Sequence, residues 1–161
     1  MNTVDTIYDF NIHLFAKADV EYQEWIHEPI LDFATDERVA VELGWTGTHT
    51  KSLFLKSKNG PFTLYLTEKD SRLDSKAIKN ITGRRVSICK DEEMVEQTGC
   101  VPGAVCPFGL PDSVELVIDK TLLECTELLF TPGKPEFTFA FKGSDLKTLL
   151  DALPNRVYYL D

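Results

Sequence analysis

The chain has 161 residues, of which 43% are hydrophobic and 27% charged, and its formal net charge at pH 7 is -9. That length suits one domain with its own core, so a single domain over residues 1–161 is expected. The acidic balance excludes a sequence-independent grip on a long polyanion, which needs clustered Lys and Arg, but leaves room for a local basic spot that meets the tip of a nucleic acid. Met1–Asp5 has no basic region before an apolar run, and no stretch is long enough to span a bilayer, so a cytoplasmic location is expected. Cys89, Cys100, Cys106 and Cys125 form no CxxC pair. No metal site is therefore expected, and free thiols are the simplest account.

In chain order, Val4–Ala18 reads as a helix, because Val4, Ile7, Tyr8, Ile12 and Phe15 form an apolar stripe. Asn2 or Thr3 can cap it. Tyr22–His27 alternates as a short strand that Pro29 ends. Asp36–Leu43 reads as a helix, with Thr35 as cap and Gly44 as stop. Thr50–Lys56 and Phe62–Thr67 are strands joined by Ser57-Lys58-Asn59-Gly60, the clearest hairpin in the chain. Asp74 caps a helix to Thr82, Arg85–Cys89 is a strand, and Asp91–Thr98 is a helix with acidic residues in its first turn. Beyond a long loop come a strand at Val114–Asp119, a helical turn at Lys120–Glu124, and strands at Glu127–Thr131 and Phe137–Lys142. A helix over Asp145–Leu153 capped by Ser144 follows, then a closing edge strand at Val157–Leu160. Strands and helices mix without strict alternation. The fold class is α/β (mixed α+β), with a mixed, partly closed sheet flanked by helices.

The long loop, Gly99 to Pro111, alternates glycine and proline with small apolar residues and carries no charge. So many prolines exclude a helix or a central strand. Glycine allows close approach of backbone to a ligand, so the loop can present backbone N–H groups from a stiff, dry turn, as an oxyanion site requires. A buried connector made of tight turns would read the same way. There is no GxGxxG, P-loop, HExxH or GxSxG. His13, His27 and His49 are scattered, and spacing supports no Ser/His/Asp or Cys/His triad. Lys51 shares a strand face with Leu53 and Leu55. A lysine on such a face either snorkels to solvent or lines a pocket that awaits an anion or a carbonyl.

Taken together, His27-Glu28-Pro29, then Thr48-His49-Thr50-Lys51-Ser52-Leu53-Phe54-Leu55-Lys56, then Asp70-Ser71-Arg72-Leu73-Asp74 before a helix, then Gly99–Leu110 with Gly103-Ala104-Val105-Cys106-Pro107 as a GxxxP loop followed by Phe108-Gly109, resemble the YbaK/ProX aminoacyl-tRNA editing domains in that order. The resemblance covers roughly the whole chain. It implies a compact mixed α/β fold with a pocket for the aminoacylated 3′ end of tRNA, and a hydrolase that cleaves the ester of a mischarged tRNA in trans without cofactor or metal. The tRNA acceptor end is the implied partner, with prolyl-tRNA synthetase as a second one and no membrane. Lys51 and Gly103 are the implied catalytic positions, Gly103 through backbone N–H groups and Lys51 through the terminal adenosine. His27, His49, Ser52, Val105, Pro107, Phe108, Gly109 and Thr131 are the implied substrate-binding positions.

Ser52 stands where the family often has asparagine, and Thr131 precedes Pro132 where free-standing alanine-specific members have histidine. Both departures bear on amino-acid specificity. Three readings follow: removal of Ala from tRNA for proline, removal of Cys from that tRNA, or a non-catalytic module that binds a nucleotide, an amino acid or a synthetase. A positive mouth formed by Lys51, Lys56, Arg84 and Arg85 would favour tRNA contact.

Overall fold

The computed structural model describes residues 2–161. The described residues form α1 (Val4–Lys17), β1 (Gln23–Ile26), α2 (Phe33–Leu43), β2 (Thr48–Ser57), β3 (Thr63–Glu68), α3 (Ser75–Thr82), β4 (Val86–Ile88), α4 (Asp91–Thr98), β5 (Glu115–Asp119), β6 (Leu128–Phe130), β7 (Phe137–Phe141), α5 (Leu146–Asp151) and β8 (Val157–Leu160). Short 3-10 turns span Lys120–Glu124 and Gly143–Asp145. The expected elements are present, with two corrections. α2 begins at Phe33 because Asp32 caps it, its carboxylate accepting from the Thr35 N–H at 2.8 Å. The last helix loses its first residues to the 3-10 turn, and Ser144 does not cap it. Gly143 packs so tightly on the backbone carbonyls of Leu122 and Cys125 that a Cβ there would collide with them.

The eight strands form one mixed sheet in the order β1-β7-β6-β2-β3-β5-β8, with β4 paired to β2 off that path. β1 and β8 are open edges, so the sheet does not close on itself. The hairpin β2–β3 is antiparallel, whereas β3–β5, β5–β8 and β2–β6 are parallel. The two-residue period of the strands divides the core between the two faces. Phe54, Leu64, Leu66, Leu116 and Ile118 point to the larger cluster, with Ile7, Leu14 and Phe15 of α1 and Leu146, Leu149 and Leu150 of α5. Leu55, Tyr65 and Val117 point the other way, onto Ile78 of α3. Phe15 is the hub of the larger cluster, stacked on Phe130 and edge-on to Phe139 and Phe141.

The Gly/Pro loop is tied down from behind by three asparagines. Asn11 of α1 donates to the Phe108 carbonyl at 3.1 Å, Asn2 donates to that of Gly109 at 3.1 Å, and Asn155 donates to those of Pro111 and Val114 at 2.9 Å each. Asn11 and Asn155 are buried and need such partners, and these bonds hold a loop without regular structure in a fixed position. Among the described residues no helix is long and apolar enough to cross a membrane, and no group of three His, Cys, Asp or Glu is placed to hold a metal ion.

Candidate active site

The site begins where the β2 ladder splits. β6 pairs with Thr48 and His49, and β4 pairs with Leu55, Lys56 and Ser57. Antiparallel pairing alternates the direction of backbone groups. His49 bonds to the β3 side, because its carbonyl accepts from the Lys69 N–H at 2.8 Å. The even-numbered residues therefore face the other edge. There the Thr48 N–H donates to Glu127 at 2.9 Å and the Phe54 carbonyl accepts from Cys89 at 3.0 Å. Ser52 lies between these two anchors, so its N–H and C=O open into the gap between β6 and β4. A cavity of about 430 Å³ fills this fork.

The Gly/Pro loop forms the facing wall. Val101-Pro102-Gly103-Ala104 closes as a turn, the Ala104 N–H donating to the Val101 carbonyl at 2.9 Å, and Gly103 has φ of +85°. Proline at the second position and a left-handed glycine at the third make it a type II turn. A Cβ on Gly103 would run into the Leu31 carbonyl, so this glycine is required both by its φ and by close packing. The turn uses the Ala104 N–H internally. The N–H groups of Gly103 and Val105 find no acceptor among the described residues, and both residues line the cavity.

Side chains complete the walls. Lys51 borders the cavity, its ammonium donates to the Ser71 carbonyl, and no carboxylate lies within ion-pair reach of it among the described residues. His49 Nδ1 meets Asp36 Oδ2 at 2.8 Å, and both side chains are 17% exposed. Lys69 reaches the same Asp36 oxygen at 3.6 Å. Trp45 packs on the His49 ring with centroids 5.7 Å apart, and its indole N–H is buried without an acceptor among the described residues. Thr50, Thr131 and Thr138 bring hydroxyl groups to the wall, although Thr50 gives its own to the Leu129 carbonyl at 2.8 Å.

With this geometry in view, comparisons with known proteins agree on one relationship. A family profile, the aminoacyl-tRNA editing domain, matches residues 32–149. The chain belongs to the aminoacyl-tRNA editing domain family. It is 34% identical over 104 residues to the multifunctional Ser/Thr-tRNA deacylase ProXp-y of Escherichia coli, a match covering 62% of each chain. It is 32% identical over 113 residues to the proline–tRNA ligase of Nautilia profundicola, covering 69% of this chain and 19% of the ligase. The chain spans less than two thirds of the length of the curated relatives it matches. Among solved structures, a proposed trans-editing enzyme for prolyl tRNA synthetase superposes with a TM-score of 0.73 at 22% identity, covering 96% of both chains. That likeness shows a shared fold.

In this editing domain the fork brings together Lys51, Gly103, His49, Ser52, Val105, Pro107 and Thr131. Three expected binding residues stand apart from it. Phe108 is 1% exposed and packs on Phe15 and Phe130, because burying a phenyl ring among other rings outweighs presenting it in a polar site. Gly109 backs onto the Phe10 ring, and its carbonyl is taken by Asn2. His27 lies one residue behind the wall, its Nε2 2.8 Å from the Thr138 hydroxyl and its Nδ1 2.6 Å from the Glu28 carbonyl. Reading by spacing missed Asp32, Asp36, Trp45 and Thr138, all of which line the cavity. The cap signal at Asp32 could have placed the start of α2 near the site.

The four basic residues whose clustering would favour tRNA contact do not gather at one mouth. Arg84 is turned inward onto Glu115, and Lys56 pairs with Glu93 at 3.3 Å. Lys56, Lys58 and Arg85 instead line a shallow groove at the β2–β4 end, beyond the cavity. Cys89 is the cysteine in the cavity wall, and burial pushes its thiol up to about 11. Cys106 is buried behind the loop, and burial raises it further. Neither thiol is prepared to act as a nucleophile at neutral pH.

Proposed function

We propose that this chain is a trans-acting deacylase that hydrolyses the ester linking a wrong amino acid to the 3′ end of a tRNA. The observation that carries this reading is that Gly103 and Val105, whose N–H groups have no partner among the described residues, line a cavity of about 430 Å³ together with the open peptide edge of Ser52. An aminoacyl ester is already activated. Placement and stabilisation of the developing oxyanion supply most of what its hydrolysis requires. The Gly103 and Val105 N–H groups bind the carbonyl oxygen as charge develops on it. They are held by the type II turn and by the Leu31 backbone, so they need no reorganisation. Lys51 keeps donors beyond the one given to Ser71 and meets the hydroxyls or phosphate of the terminal adenosine. The Ser52 peptide group hydrogen-bonds the substrate edge-on, as a missing strand would. Relatives named as a tRNA deacylase and as proline–tRNA ligases support this activity, with the tRNA acceptor end and prolyl-tRNA synthetase as partners.

The walls are close and partly apolar, with Leu31, Ala104, Val105 and Phe130 among them, so the amino-acid end excludes by size. Alanine on tRNA for proline is the first substrate we propose, with cysteine on the same tRNA in the same class. The hydroxyls of Ser52, Thr131 and Thr138 favour a second reading, a small hydroxylated amino acid, in keeping with the name of the relative ProXp-y. The test is deacylation of labelled Ala-, Cys-, Ser- and Thr-tRNA by the wild type and by Lys51→Ala. Selective hydrolysis that falls about 10²–10³-fold in Lys51→Ala is expected. Hydrolysis no faster than the spontaneous rate across the panel would overturn the reading in favour of a binding module.

A further inference from the structure

We infer that His49 is the general base of this site and that Asp36 is its positioning residue. The inference rests on the deacylase reading and adds to it the group that moves the proton. Four observations converge. Asp36 Oδ2 lies 2.8 Å from His49 Nδ1, so the carboxylate accepts the Nδ1–H and leaves the lone pair on Nε2. Lys69 stands 3.6 Å from the same carboxylate oxygen. The ring is clamped between that carboxylate and the Trp45 indole. Nε2 has no protein partner among the described residues and is not among the fully buried atoms, so water can reach it, and His49 is one of the residues that line the cavity.

These are the parts of an acyl-transfer site that lacks a side-chain nucleophile: a base, a group that orients the base, and oxyanion donors in the same cavity. His49 Nε2 takes a proton from water while the water oxygen bonds to the ester carbonyl carbon. The carbonyl π pair moves onto the oxygen held by the Gly103 and Val105 N–H groups. As the intermediate collapses, the carbon–oxygen bond to the ribose breaks and the imidazolium returns its proton to the ribose oxygen. The products are a tRNA 3′ end with its hydroxyl restored and a free amino acid, whose carboxyl proton goes to solvent. No oxidant, metal or second substrate enters. A purely structural role would use the same hydrogen bond only to fasten α2 to β2.

Two variants separate these roles. His49→Gln places a neutral amide of similar reach where the imidazole stood and has no base, and Asp36→Asn retains a hydrogen-bonding partner without the charge. The charged groups facing the imidazole are Asp36 from α2, Lys69 from the end of β3, with Glu37 behind it, and Lys51 on its own strand. Single-turnover deacylation of the preferred aminoacyl-tRNA is measured against pH, with the spontaneous rate subtracted. In the wild type the logarithm of the rate should rise with unit slope at low pH and then level off, because the neutral imidazole is the active form. In His49→Gln the rate should fall about 10²–10⁴-fold and that rising limb should vanish, while the melting temperature changes little. Asp36→Asn should lower the plateau while keeping the limb. If the wild type hydrolyses the substrate and His49→Gln keeps both rate and limb, the base assignment is overturned and the deacylase reading stands. If the wild type hydrolyses no aminoacyl-tRNA, both fall together. Loss of rate with an unchanged limb in His49→Gln would also overturn the assignment, since some other group would then be titrating.

Discussion

β2 and β3 lie side by side in one hairpin, yet they do opposite work. β3 is paired along its length to β2 on one edge and from Thr63 to Leu66 to β5 on the other, and Thr63 to Thr67 are all buried. β2 is paired to β3 from Thr50 to Leu55, but on its other edge it changes partner from β6 to β4 and leaves Ser52 open between them. In β3 the backbone from Thr63 to Leu66 is laddered on both edges, and Leu64, Tyr65 and Leu66 divide between the two cores. In β2 the break in pairing exposes peptide groups that a ligand can complete. The site thus arises from an interruption of the sheet, faced by a loop whose glycine and prolines stop it from filling the gap itself.

The strongest way to break this comparison is through β3. Leu64 is fully buried in the larger core, so Leu64→Ala should cost about 2–5 kcal/mol in denaturant unfolding. Its deacylation rate per folded molecule should not change, because Leu64 lies outside the cavity wall. A smaller effect, seen mainly in function, is expected on the side facing β2. Gly103→Ala meets both a left-handed φ and the Leu31 carbonyl, and should cost about 1–3 kcal/mol while abolishing most activity. Gly44 has φ of +70° with nothing near its absent Cβ, so Gly44→Ala should cost about 1–2 kcal/mol and leave activity intact. Equal activity loss in the two glycine variants would remove the distinction between a turn that forms the site and one that only ends a helix.

The smallest effect is on pH dependence. Burial raises the Cys89, Cys100 and Cys106 thiols and the Tyr8 phenol, the last also through its bond to Glu24. A raised folded-state value means that the unfolded chain loses these protons first. The stability these groups contribute is complete below the ordinary thiol range and declines as pH climbs from there toward about 11 and beyond. Unfolding free energy should therefore be insensitive to these groups near pH 7–8 and fall steadily on the alkaline side. The partly exposed Cys125 should react with a thiol reagent well before the three buried cysteines. Comparable rates for all four would contradict the packing described here.

Much of this was legible in the sequence because the signals were local. Asn59-Gly60 marked the hairpin turn, and Asn59 indeed takes a left-handed φ of +59°. Asp74 and Gly83 bounded α3 at both ends. The Gly/Pro loop, Lys51 and Ser52 stood out as a motif and meet in one cavity. The parts that were not legible depend on long-range juxtaposition. Asp36 reads as a first-turn helix acid of the kind that faces solvent, and only the docking of α2 onto β2 brings it to His49. Thr138 reads as the polar position of an alternating strand, and it reaches the site because β7 is an inner strand next to β6. Phe108 looked available as the neighbour of a ligand loop, but the chain turns inward after Pro107 and the ring joins the aromatic core.

The most direct test of the central claim, that the interrupted edge of β2 and the Gly103 turn form the substrate site, is backbone amide NMR with a non-hydrolysable probe, 3′-alanylamino-3′-deoxyadenosine. The account predicts that the amide signals of Ser52, Gly103 and Val105 shift together on titration, while those of β3, β5 and β8 stay in place. Shifts confined to the Lys56, Lys58 and Arg85 groove, or a probe that saturates without moving Gly103, would contradict it.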